Sequence, residues 1–125
     1  MNAVDYLVAS FWNRLGAGVD FALFKDSKVV HDVLKRAIDL DVSQCVDWVD
    51  YRQSLLAGRR DDFVDRVRAL SGKFSASELA ILCSALAAAD YVWLANEMSG
   101  GAVWSLLESC DPSTRRAVAA AMLAI

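Results

Sequence analysis

A chain of 125 residues is the size of one domain and long enough to bury a core without metal or disulfide support. With 56 % hydrophobic residues, one proline and a mean hydropathy of +0.30, it carries enough apolar surface to offset its chain entropy, which excludes a disordered segment. A net charge of −3 gives no electrostatic basis for contacting phosphates, so direct nucleic-acid binding is not expected and a basic protein is the easier partner.

In chain order, Asn2 is placed to cap a first helix in which Val4, Leu7, Val8, Phe11, Trp12 and Leu15 recur at helical spacing before Gly16 and Gly18 end it. The same stretch lacks the basic flank and cleavage site of an export signal, and a cytoplasmic protein is expected. Residues 19–25 are too short to classify by period. From Ser27 to Leu40 the apolar set Val29, Val30, Val33, Leu34, Ala37 and Ile38 predicts a helix, because only a helix gathers that spacing on one side.

Asp41 with Gln44 has the spacing of a capping box for a helix that carries Val46, Trp48, Val49, Tyr51, Leu55 and Leu56 as far as Gly58, with Asp47, Asp50 and Ser54 on its polar side. A fourth helix is predicted over 61–70, with Phe63, Val64, Val67 and Leu70 inward and Ser71-Gly72 as its stop. Ser75 and Glu78 then form a capping box, with Phe74 set to staple onto Leu79, and open a long apolar helix over about 76–98. Ser99-Gly100-Gly101 ends it. A short helix around Val103, Leu106, Leu107 and Cys110 follows, and Asp111-Pro112 starts the last one.

No strand alternation, repeat or dividing linker interrupts this series. The expectation is an all-α fold, residues 1–125 forming a single compact bundle of roughly five to seven helices. The nearest approach to a membrane span, residues 79–95, carries Ser84 and Asp90 and reads as a buried helix, so no membrane contact is expected.

Asp90 is the anomaly in this pattern. If the helix runs unbroken, Leu79, Cys83, Leu86, Asp90, Trp93 and Glu97 form one stripe in alternating steps of four and three, and the carboxylate sits in its middle. A lone ionised carboxylate among apolar neighbours would cost several kcal/mol, roughly, so a partner is required. The expected partner is Arg115, Arg116 or the Trp104 indole within the chain. The alternative is a seam against a second copy or another protein, and a catalytic carboxylate shared with Glu97 is the third choice.

Other chemistry is sparse. His31 is the only histidine, and between Lys28 and Lys35 it reads as a half-exposed surface residue. Cys45, Cys83 and Cys110 lie in apolar surroundings at spacings unlike those of zinc sites or a disulfide framework, and they read as reduced thiols. No phosphate-binding glycine loop, metalloprotease helix or calcium loop is present; no catalytic residue, metal or cofactor is assigned.

The run from Asp39 to Asp50 holds Asp39, Asp41, Asp47 and Asp50 with no basic residue between them, beside Trp48 and Tyr51. As a functional surface it would offer carboxylates to a basic nucleic-acid-binding groove of a larger protein, with Trp48 as anchor. The wholly apolar residues 117–125 should dock into the core or into another subunit. The expected function is therefore non-enzymatic protein binding, by a small regulator or by an inhibitor of the kind phages and mobile elements encode. A self-associating assembly subunit is the alternative, and an enzyme at Asp90 and Glu97 a more distant one.

Overall fold

A computed structural model of the protein describes residues 21–59, 61–101 and 103–124. The predicted first helix over 2–15 lies outside these residues, as does the side chain of Trp104. The fold is all-α: besides the helical residues 21–25, the described residues form seven α-helices and two short 3-10 turns, with no strand among them. None of these helices is long and apolar enough to cross a membrane.

Residues 21–25, part of a segment too short to classify by period, are helical. They lead into α1 (Lys28–Ile38), whose Ser27 cap accepts the Val30 N–H and whose Val30, Val33, Leu34 and Ala37 face inward at the predicted spacing. The next start signal acts differently from expectation. Asp41 caps only the 3-10 turn Val42–Gln44, and α2 (Trp48–Gly58) begins four residues later, capped by Asp47, whose side chain accepts the Asp50 N–H at 2.8 Å. Because Cys45 separates the two starts in extended conformation, the turn and the helix are distinct elements.

Helix α3 (Phe63–Ser71) buries Phe63 and Val67, and α4 (Ala76–Ala88) opens on the predicted capping box, both halves formed between Ser75 and Glu78. Every residue from Ala80 to Ala89 is buried. A helix apolar all round must be covered all round, and α4 is packed against by α1, by α5 (Val92–Ser99), by α6 (Val103–Leu106) and by α7 (Pro112–Leu123). Its alanines let these neighbours approach closely. Truncating a large side chain here, Leu86→Ala for instance, would cost about 2–5 kcal/mol.

The long helix expected over 76–98 is interrupted. Helix α4 stops at Ala88 and α5 starts at Val92, because Asp90 adopts the left-handed conformation, φ 71°. The Tyr91 N–H reaches the Leu86 carbonyl at 2.9 Å and the Asp90 N–H reaches Ala87 at 3.2 Å, the paired bonds of a Schellman closure. Helix α5 ends in the same way on Gly100, φ 65°, at the predicted stop.

A helix leaves its last four carbonyls without partners from its own ladder. In α4 all four are met. Leu86 and Ala87 are satisfied by the closing turn, Ala85 accepts the Tyr51 hydroxyl at 2.6 Å, and Ala88 accepts Nε of Arg52 at 2.6 Å. A terminal nitrogen of Arg52 also donates to Ala124 at the end of α7, so one guanidinium serves the negative ends of two helices. The predicted docking of the terminal helix holds: Ala117, Val118, Ala120 and Ala121 are buried, while Leu123 faces outward.

Candidate functional site

The carboxylates of the acidic run are largely engaged in closing backbone. Asp39 ends α1 in the left-handed conformation and pairs with Lys35 at 2.8 Å. Asp41 accepts the Ser43 N–H and hydroxyl, which hold its carboxyl below the usual range. Asp50 reaches back to the Val46 N–H at 2.9 Å, completing with Asp47 a reciprocal cap at the start of α2.

The aromatic residues assigned to that surface are not on it. Trp48 is 6 % exposed and Tyr51 is fully buried. Phe24 packs on both, with ring centroids 4.9 Å from Trp48 and 5.5 Å from Tyr51. Burial pushes the Tyr51 phenol upward, so it stays a neutral donor to Ala85. The expectation that Trp48 anchors a partner is therefore corrected: the apolar period of α2 turns Trp48, Tyr51 and Leu55 inward and leaves Val49 and Leu56 exposed, with Val46 exposed just before the helix.

Asp90 is also corrected. The break in the helix rotates everything after Ala89, so the carboxylate is exposed and makes no hydrogen bond or ion pair among the described residues. It needs no internal counterion. Arg115 instead donates to the carbonyls of Leu107 and Cys110, closing the 3-10 turn Leu107–Ser109, and Arg116 lies exposed on α7.

The end of the expected stripe does come together, on the surface and with different partners. Trp93 is 53 % exposed at the start of α5, next to exposed Val92. Glu97, one turn further on, takes a two-pronged bond from Arg68 of α3, at 2.6 Å to Nε and 2.7 Å to Nη2, and this contact holds the Glu97 carboxyl below its ordinary range. The same guanidinium lies 5.9 Å from the Trp93 ring centroid. Tyr91 lies between Phe63, at 5.1 Å, and Trp93, at 6.4 Å, its ring tilted 50° to each, and its hydroxyl accepts a bond from Arg59.

No motif or spacing in the sequence marks Arg59, Arg68 or Tyr91. The contacts bridge 29 residues for Arg68–Glu97 and 32 for Arg59–Tyr91, separations over which no spacing rule operates. The only sequence cue was Arg68 on the polar side of an amphipathic helix.

An acid–base pair at Asp90 and Glu97 is not assembled. Glu97 is held by Arg68, Asp90 is on open surface, and neither lines the hollow beside Ala37, Gly58 and Phe63 or the more open one beside Lys28, His31 and Leu40. His31 donates through Nε2 to the Lys25 carbonyl. All three cysteines are buried free thiols, and burial pushes Cys83 up to about 11, which keeps it protonated and unreactive. Among the described residues no group of three metal-ligating side chains converges.

No protein-family model, curated protein or solved structure matches this chain.

Proposed function

We propose that this protein acts by binding another protein, as a small regulator or inhibitor, and that the face built by Tyr91, Trp93 and Arg68 is its contact surface. The observation that carries the reading is Trp93, a half-exposed indole whose surroundings are already ordered by the Arg68–Glu97 and Arg59–Tyr91 bonds. Tryptophan, tyrosine and arginine dominate the energetics of protein interfaces. A surface held in place before contact gives up less side-chain entropy on binding.

The test compares wild type with Trp93→Ala in crosslinking captures from the native cell. Loss of specific partners from the variant, with an unchanged circular dichroism spectrum, is the expected result; an identical partner set for both proteins would refute the assignment.

A second reading, self-association, is favoured by a separate feature. Val46 is 74 % exposed and Val49 57 %, and Leu56 follows Val49 by seven residues on the same side of α2. This strip lies on a different helix from Trp93, so the two readings are separable.

A further inference from the structure

Resting on the Trp93 face as the docking surface, we infer that its partner presents a basic segment, an arginine or lysine beside an aliphatic residue, with the cation taken by Asp90 and Asp65 and the aliphatic group by Trp93 and Val92. Charge complementarity supports this choice. Among the described residues the cations on the face already have partners, Arg68 in the carboxylate of Glu97 and Arg59 in the Tyr91 hydroxyl. The acids are less engaged: Asp65 is 87 % exposed and reaches Arg68 only at 3.9 Å, and Asp90 has no partner among the described residues. Trp93 therefore sits in a mixed apolar and net-acidic setting, where a cation finds both carboxylate and ring.

An acidic segment would meet Asp65 and Asp90, and among the described residues it would find no cation beside Trp93 that is without a hydrogen-bond partner. A purely apolar segment would leave both carboxylates to be desolvated without compensation. A basic one meets neither obstacle.

A library of random twelve-residue peptides displayed on phage, selected on the immobilised full-length protein, supplies the probe. The recovered peptides are expected to be enriched in arginine or lysine adjacent to aliphatic residues. Their affinity should fall at least about tenfold in Trp93→Ala and roughly three- to tenfold in each of Asp90→Asn and Asp65→Asn, with the aspartate effects shrinking as salt is raised. Asparagine tolerates the left-handed conformation, so Asp90→Asn removes charge while keeping the turn. Peptides that lose Trp93→Ala but show no basic enrichment would overturn the inference and leave the surface intact. Peptides indifferent to Trp93→Ala, or a selection that recovers no binder, would overturn both.

Discussion

At Asp90 a side chain that looks like a buried charge is a surface residue, because its backbone is in the left-handed region at φ 71°. For an L-residue that conformation costs roughly 1–2 kcal/mol, and glycine avoids it. Asp90→Gly should therefore raise stability by about 0.5–1 kcal/mol and Asp90→Leu lower it by about 1 kcal/mol, read as shifts of the urea midpoint at constant slope. A carboxylate paired in the core would give a loss for the glycine variant. Glu78 makes a pH prediction. The Ser75 N–H, then the Ser75 hydroxyl and Arg36, lower its pKa from the ordinary 4.5, so its contribution is present above that value and disappears as pH falls through the folded pKa. Melting temperature should drop below pH 4.5, and Glu78→Gln should flatten that acid limb.

Among the helices, Arg52 does more than its sequence position suggests, since it closes the ends of both α4 and α7. Charged hydrogen bonds contribute about 1.5–3 kcal/mol, so Arg52→Met should cost about 2 kcal/mol in urea unfolding and speed amide exchange over residues 118–124. Deleting residues 122–125 removes the Ala124 acceptor together with half-buried Met122 and should be at least as damaging. If neither change alters exchange in α7, the terminal helix is not held as described. Legibility here follows distance along the chain. Ser75 and Glu78 could be read because a capping box closes within three residues, whereas the Arg52 clasp spans 72 residues to Ala124.

For the molecule as a whole, the apolar surface left over after folding decides what can associate. The strip on α2 and the Trp93 face are separate, and each predicts its own behaviour. If self-association operates, sedimentation velocity should show a concentration-dependent increase in mass that Val49→Asp abolishes and Trp93→Ala leaves alone. Three exposed aliphatic side chains, Val46 just before α2 and Val49 and Leu56 on it, fall short of the roughly 800 Å² per partner of a stable interface, so the association should be weak. A single species across the concentration range would retire this reading and leave Trp93 as the surface to test.

The all-α class, the inward faces of α1 and α3, the cap at Ser75 and the stop at Gly100 were determined by the sequence alone, since each follows from periodicity or from contacts a few residues apart. Only the tertiary structure decided which aromatic residues face out. The period of α2 allows either Trp48 or Val49 to lie inside, and packing against Phe21 and Phe24 settles it for Trp48. The stripe through Asp90 required an unbroken helix. A turn of two residues inside an alanine-rich run leaves no mark on hydrophobic periodicity, yet it carries Asp90 and Trp93 from an expected core to the surface.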